Sequence, residues 1–408
     1  MTPNQIRGFN YAPSTARNPV EFWRDYDPTL IEKELTYANR LDLNLARIFL
    51  SYACYEHDSE TFLANVRHFI DTALSKGIKT QLVVFDACFC DIEPEYDIDH
   101  FMWLSNPGTI NWDDDFYPQG EAYCKALLDA FGDHEGVYVW DVMNEPTSNI
   151  NIWLTEGEEK EEQLGRVWGF VDHYMSFMKE TCPAAKLTCG VADASEIEKM
   201  ADKVDIITFH DYSPTRAKIK EKIALARKIA ESKGKEFFCT EMCCTARSNP
   251  YDAVIGVFEE ENVGFVIWEL MIGSAMWKDI HGVVYPDGTV RDPSIAAALL
   301  GFFRNRNPET IIPTYTDKEH HSTKVIVEAK TLLREEFSPY GDYKEYIGRV
   351  LSCAETIANQ LECAEAVPMN ELPSVHILEM QKNCESIPEA KKALRELLEI
   401  IMKVVSIA

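Results

Sequence analysis

Two glutamates stand where a chain of this pattern could do chemistry. Glu145 closes the run Trp140-Asp141-Val142-Met143-Asn144-Glu145-Pro146, and Glu241 closes Phe238-Cys239-Thr240-Glu241. Each ends a strand-like stretch, so both are expected at C-terminal strand ends. Two carboxyl groups facing one another across about 5 to 5.5 Å can cleave an acetal with retention: one protonates the leaving oxygen while the other attacks the anomeric carbon. The roles divide by environment, the attacking group staying ionised and the other being kept protonated by a raised pKa. Alone, an Asn-Glu-Pro triplet is weak evidence, because Asn and Pro often only mark a loop. What gives the pair meaning is a scaffold that brings both strand ends to one mouth.

Short β-branched or aromatic runs alternate with longer amphipathic stretches through eight cycles. Strands are expected at Ile6 to Ala12, Leu43 to Ser51, Ile78 to Asp86, Val137 to Asn144, Lys186 to Val191, Val204 to His210, Glu236 to Glu241 and Val263 to Leu270. Helices are expected near Leu30 to Arg40, Glu60 to Lys76, Gly120 to Phe131, Lys160 to Glu180, Ser195 to Lys199, Thr215 to Lys233, Tyr251 to Glu260 and Pro293 to Arg304. This alternation is the sequence form of an α/β fold with a parallel sheet. No Gly-rich phosphate turn follows the first strand, which favours a closed (β/α)8 TIM barrel over an open doubly wound sheet. The long loops Cys88 to Gln119 and Met271 to Asp292 then fall on the catalytic face. The barrel is expected over residues 1–307 and a helical C-terminal appendage over 308–408, with Pro308 to Thr316 as linker. In the appendage Tyr343, Ile347, Val350, Leu351, Ala354, Ile357, Ala358 and Leu361 recur at helical spacing, as do Leu394, Leu397, Leu398 and Ile401. Such stripes either pack against the barrel or join subunits into a homo-oligomer.

Composition narrows the partners. With 46% hydrophobic residues, the 408-residue chain can bury a large core. Its formal net charge of -27 opposes binding to nucleic acid or to an anionic membrane surface and leaves a neutral or cationic ligand easier to accommodate. No apolar run precedes Ile6, so neither signal peptide nor membrane anchor is expected and the location is read as cytoplasmic. The 12 cysteines are irregularly spaced, which suits reduced thiols. Cys88, Cys90, Cys243 and Cys244 form two close pairs but lack a knuckle spacing, so no metal and no cofactor are expected.

With the strands in register, the chain resembles the cellulase-like family 5 of glycoside hydrolases, within the clan of (β/α)8 retaining glycosidases, over about residues 6 to 304. The motifs carrying the likeness are Asn144-Glu145-Pro146 after the fourth strand, Glu241 ending the seventh, Arg7-Gly8-Phe9-Asn10 in the first, Arg47 ending the second, His210-Asp211-Tyr212 after the sixth and Trp268 ending the eighth. The resemblance implies a retaining β-glycoside hydrolase with Glu145 as acid/base and Glu241 as nucleophile. It further implies that Arg47 and Tyr212 hold the nucleophile ionised, that Asn144 meets the sugar 2-hydroxyl and that His210 lies near the acid/base. Trp268 would be the stacking platform, joined to Glu269 by a cis peptide as in relatives. Read without the resemblance, Arg47 is a salt bridge closing the barrel, His210 a satisfied core histidine and Trp268 core packing.

Departures from the endo-cellulase pattern bear on the sugar. Met242-Cys243-Cys244 follows Glu241 where relatives usually carry Gly, and Asp86 ends the third strand where many show His. Asp86, Asp91 and the run Asp113-Asp114-Asp115 are candidate partners for sugar hydroxyls, with Asp86 the preferred one and a solvated loop the plainer meaning of the run. Trp103, Trp112, Trp153 and Trp277 lie in catalytic-face loops, where they either stack on sugar or hold the loops down. Loops walling one side of the cleft favour exo action on short oligosaccharides. Within the family the chain is similar to intracellular β-mannosidases, with a β-glucosidase or an endo-acting mannanase, cellulase or xylanase as alternatives. A catalytically inactive carbohydrate-binding barrel or assembly scaffold is the reading from another class.

Overall fold

The structure, a computed structural model, describes residues 1–88, 92–301, 326–333, 343–363 and 386–407. Cys90, Asp91 and the expected linker 308–316 lie outside them. The chain divides into two compact units, Met1–Asn305 and Arg306–Ala408.

In the first unit eight parallel strands close a barrel in sequence order: β1 (Arg7–Tyr11), β2 (Leu45–Phe49), β3 (Lys79–Asp86), β4 (Val137–Asn144), β5 (Leu187–Val191), β6 (Ile206–Asp211), β7 (Glu236–Met242) and β8 (Phe265–Ile267). Closure comes from β1 pairing with both β2 and β8. The helices around it are α1 (Pro28–Arg40), α2 (Ser59–Ser75), α3 (Tyr117–Phe131), α4 (Gly157–Thr181), α5 (Arg216–Lys233), α6 (Tyr251–Glu260) and α7 (Pro293–Leu299). After β5 a 3-10 helix, Ala194–Lys199, takes the place of the expected α-helix.

Local chemistry sets the helix starts. Asp27 accepts from the amides of Thr29 and Leu30, and Pro28 fills the first helical position, where a missing N–H costs nothing. Thr215 caps α5 in the same way, and Gly234 ends it at φ 62, a left-handed conformation that glycine adopts without strain. Between strands and helices lies one continuous apolar core that includes Phe9, Ile48, Val84, Val142, Phe209 and Ile267. A separate cluster of Ile6, Leu45, Val139, Ile206, Phe238 and Val266 sits at the N-terminal ends of the strands. The opposite end is left to polar residues.

Pairing register shifts at three places near that polar end: between Asp141 and Asn144 against β5, between Phe209 and His210 on β6, and between Cys239 and Met242 on β7. A bulge re-aims side chains where regular alternation would send them to the other face. Asp141 and Asn144, three apart, thus both reach Arg47.

The second unit contains a helix at 326–333, α8 (Tyr343–Cys363) and α9 (Ile387–Ile407). Its apolar stripes meet one another: Ile347, Val350, Leu351, Ala354, Ile357 and Ala358 form a core with Leu394, Leu397, Ala329 and Leu332, and Leu398 packs against it. The side chains of Tyr343, Leu361 and Ile401 lie outside the described residues. No helix among the described residues is long and apolar enough to cross a membrane.

Candidate active site

Arg47 organises the polar end of the barrel. It sits within β2 rather than at its end, with its side chain wholly buried. Its Nε and Nη2 donate to Asp141 Oδ2 at 3.1 and 2.9 Å, and Nη1 donates to Glu241 Oε1 at 2.7 Å. The remaining donors reach Asn10 Oδ1 at 2.9 Å and Asn144 Oδ1 at 2.6 Å. A guanidinium presents its donors in a rigid fork, so these four partners fix its plane and with it the Glu241 carboxylate. Arg47 therefore both closes the barrel with a salt bridge and touches the candidate nucleophile. Asp141 is shared further, accepting from Gln81 Nε2 at 3.0 Å and from the Gly190 amide at 2.9 Å. A Cβ at Gly190 would stand 2.9 Å from both Arg47 Nη2 and Asp141 Oδ2, so only glycine fits there.

Glu145 follows β4 with φ 44, a left-handed conformation that costs a non-glycine residue about 1–3 kcal/mol. The Glu145 amide donates to Gly190 O at 2.7 Å, holding this turn. Its Oε1 is 2.6 Å from His210 Nδ1, and the Cys88 thiol donates to its Oε2 at 3.3 Å. Tyr212 donates to Glu241 Oε2 at 3.0 Å, and His210 Nδ1 lies 3.4 Å from that same oxygen. His210 thus bridges the two glutamates. Ligand atoms of Glu145, His210 and Glu241 all fall within 4.8 Å of one another.

The charge balance differs from the one the sequence suggests. Burial pushes Glu145 up, but the hydrogen bond and charge of His210 outweigh it and bring the carboxyl down to about 2. Burial pushes Glu241 up as well; there the Glu145 charge adds to the push, while His210 and Arg47 oppose it without cancelling it. The order is the reverse of a raised Glu145 beside a low Glu241. Its cause is geometric, since His210 stands closer to Glu145 than to Glu241. Two carboxyls this close titrate as a pair, each raising the cost of ionising the other.

Over the pair opens a cavity of about 480 Å³ whose lining includes Cys88, Asn144, Glu145, Tyr212, Glu241 and Trp268. Three tryptophans wall it on one side: Trp103 and Trp277 have ring centroids 5.0 Å apart, and Trp268 lies 5.8 and 5.2 Å from them. Trp268 comes just after β8, and its bond to Glu269 is cis. The indole of Trp277 donates to Glu269 at 2.6 Å, fixing the wall.

Asp86 ends β3 as expected but stands behind this wall. Its oxygens accept from Trp103 Nε1 at 2.7 Å, Asn144 Nδ2 at 2.9 Å and the Cys88 amide at 2.9 Å, and burial pushes its pKa to about 7. It positions Asn144 and Trp103 instead of lining the cavity. Asn144 keeps one of its two Nδ2 hydrogens beyond the bond to Asp86. Asp113 is ion-paired with Arg166 at 2.8 Å, and Asp114 and Asp115 are exposed, as befits a solvated loop. Trp112 is buried and holds its loop down, whereas Trp153 is half exposed. Cys88, Cys243 and Cys244 are buried, and burial pushes the thiols of Cys88 and Cys243 up. Cys243, in the Met242-Cys243-Cys244 run, has φ 80, a left-handed conformation, and the Asn249 side chain accepts its amide at 2.8 Å.

Among the described residues, Glu145, His210 and Glu241 are a set of donors close enough to share a cation. The Arg47 guanidinium already neutralises Glu241 at contact distance, which disfavours a second positive charge there.

No protein-family model matches the chain, and no curated protein matches it by sequence. Solved structures do match. A GH5_18 protein from Streptomyces cattleya, in complex with GlcNAc, aligns with TM-score 0.56 and 15% identity over 74% of this chain and 80% of that one. A GH5_18 variant from Bifidobacterium longum subsp. longum ATCC 55813, in complex with Manb1-4GlcNAc, aligns with TM-score 0.56 and 14% identity over 74% and 78%. The exo-beta-1,4-mannosidase Op5Man5 from Opitutaceae bacterium strain TAV5 aligns with TM-score 0.52 and 16% identity over 86% and 75%. At these identities the likeness establishes the fold.

Proposed function

We propose that this chain is a retaining β-glycoside hydrolase, with Glu241 the nucleophile and Glu145 the acid/base. The observation that carries the reading is the approach of the Glu145 and Glu241 oxygens to within 4.8 Å, with Glu241 clasped by Arg47 and Tyr212. Inverting enzymes hold their carboxyls roughly 6.5–9.5 Å apart to admit a water; a close pair favours direct attack.

In the first step Glu241 Oε2 bonds to the anomeric carbon as the glycosidic C–O bond breaks, and the Glu145 proton passes to the leaving oxygen. In the second, Glu145 takes a proton from water, the water oxygen bonds to the anomeric carbon, and the ester to Glu241 breaks. The resting order favours a single proton on Glu241, so turnover draws on the other form of the coupled pair, in which that proton is on Glu145 and Glu241 is ionised beside Arg47. Ester formation removes the Glu241 charge and further favours an ionised Glu145, as its later role as base requires. The free hydrogen of Asn144 Nδ2 is placed for the sugar 2-hydroxyl, where contacts strengthen in the transition state.

The tryptophan wall supports exo action on short β-linked oligosaccharides, and mannose is the first sugar to test, in keeping with the exo-mannosidase that shares the barrel; β-glucosidase and endo-acting mannanase, cellulase or xylanase activity are the alternatives. A panel of aryl β-mannoside, glucoside, xyloside and galactoside, with the anomer of the first-formed product followed by NMR, tests the reading. Release of the β-anomer from one of them is expected; α-anomer would exclude the double displacement, and no cleavage of any member would leave only a carbohydrate-binding barrel.

His210 yields a second test. It favours the ionised form of both carboxyls, so replacing it raises both pKa values. In His210→Asn both limbs of the bell-shaped pH profile of kcat/KM should therefore move to higher pH. Unmoved limbs with a lower plateau would mean that the ring acts only by shape.

A further inference from the structure

Arg247 is a cation of the active-site cavity that the two-glutamate chemistry leaves unused. It lines the cavity over the glutamate pair, at the end of the 3-10 helix Thr245–Arg247 that follows β7, and is exposed there. The other described arginines of the barrel, from Arg7 to Arg291, each donate to a carboxylate or a backbone carbonyl. The Arg247 guanidinium has neither an acceptor nor an ion-pair partner among the described residues, and Asp279, which lines the same cavity, makes no ion pair with it.

Its place is nonetheless fixed. Cζ lies 4.9 Å from the centre of the Tyr212 ring, a cation–π contact, and the Tyr212 hydroxyl donates to Glu241 Oε2. The turn that carries Arg247 is closed by paired backbone bonds between Cys244 and Asn249 at 2.8 and 3.1 Å. It is tied outward by Asn249 Nδ2 donating to Ser213 O at 2.7 Å and by the Thr245 hydroxyl donating to Ile280 O at 3.0 Å. Five N–H donors are thus held at the cavity in a planar fork with no acceptor on the described chain, a geometry that matches a carboxylate or a phosphate. Burial brings His281, which also flanks the Tyr212 ring, down to about 4, so Arg247 is the cationic group of the described lining.

We propose that Arg247 binds an anionic substituent of the glycone, so that the substrate is an acidic β-glycoside whose non-reducing sugar carries a carboxylate or a phosphate. The inference rests on the glycosidase reading above and narrows it. The barrel closes in sequence order, so β8 stands opposite β4. Glu145, after β4, serves the leaving group, and the segments after β7 and β8 then border the sugar whose anomeric carbon Glu241 attacks. The net charge of -27 opposes an anion at long range, but beyond about 8 Å that repulsion is screened at physiological salt. Close by, Arg47 already offsets Glu241.

The test measures kcat/KM, at one ionic strength, for nitrophenyl β-glucuronide, 6-phospho-β-glucoside and 6-phospho-β-mannoside against the neutral β-glucoside and β-mannoside. At least one anionic glycoside should exceed its neutral counterpart by about tenfold, and the carboxylate or phosphate arm that does so identifies the substituent. In Arg247→Met the ratio of anionic over neutral should fall about tenfold, the equivalent of 1.4 kcal/mol. Arg247→Lys keeps the charge but not the fork and should fall between. The ratio is independent of how much of each variant is folded. Wild-type protein that prefers the neutral glycosides, or a ratio that Arg247→Met leaves unchanged, overturns the anion site while the glycosidase reading stands. Wild-type protein that cleaves no member of either set overturns the glycosidase reading itself.

Discussion

Glu241→Ala should abolish turnover of an activated aryl β-glycoside and leave no trappable glycosyl-enzyme, whereas Glu145→Ala should still form the adduct and regain activity with azide. The asymmetry follows from where each oxygen stands. Glu241 Oε2 is the atom that bonds the anomeric carbon, and nothing among its neighbours can replace it: Arg47 is a cation and Tyr212 a phenol whose hydroxyl is already donated. Glu145 supplies only a proton, worth about 10²–10⁴-fold in general acid–base catalysis, and a good aryl leaving group needs little of it. Its loss therefore falls on the second step, where water needs a base. Azide needs none and fits the space vacated by the side chain, so a β-glycosyl azide should accumulate. Mass analysis after a 2-fluoro glycoside should place the adduct on Glu241. An adduct on another residue, or full turnover by either variant, would remove the assignment.

How far the chain could be read in advance depended on whether a residue's role lay in its own strand. The eight strands were legible because each parallel strand, buried on both faces, is a short apolar run, and their order placed Glu145 and Glu241 at one end. Asp141 was less visible as a site residue: a charged side chain inside the apolar run Val137–Asn144 was the available signal, but its meaning needed Arg47, 94 positions earlier, and a register shift that turns both Asp141 and Asn144 inward. Asp86 was read as a sugar contact because it ends a strand; the Trp103 indole, arriving from a long loop, takes up its carboxylate instead. The charge balance between the two glutamates is hard to read in advance for a similar reason. It depends on His210 lying 2.6 Å from one glutamate and 3.4 Å from the other, a difference that no spacing encodes.

Arg47 gives the largest stability effect to be expected from a single substitution in this site. Its side chain and that of Asp141 are fully buried, and Glu241 is nearly so. A buried ion pair need not be a net gain over apolar packing, but removing one member leaves the other charge uncompensated, typically at about 3–5 kcal/mol. Arg47→Met fills much of the same volume and takes away all the donors, leaving Asp141 with Gln81 and the Gly190 amide, and Glu241 with Tyr212 and the more distant His210. Urea unfolding of Arg47→Met should thus show a loss on that scale. Adding Asp141→Asn removes the stranded charge, so the double variant should regain part of the stability. It should not regain activity, because Glu241 still lacks the cation that opposes its raised pKa, and the acid limb of the pH profile should stay displaced to higher pH in both variants. Stability and activity that return together would mean that Arg47 acts on Glu241 only by keeping the barrel folded. Stability within about 1 kcal/mol of wild type in Arg47→Met would show that Asp141 is not relying on Arg47 for its charge.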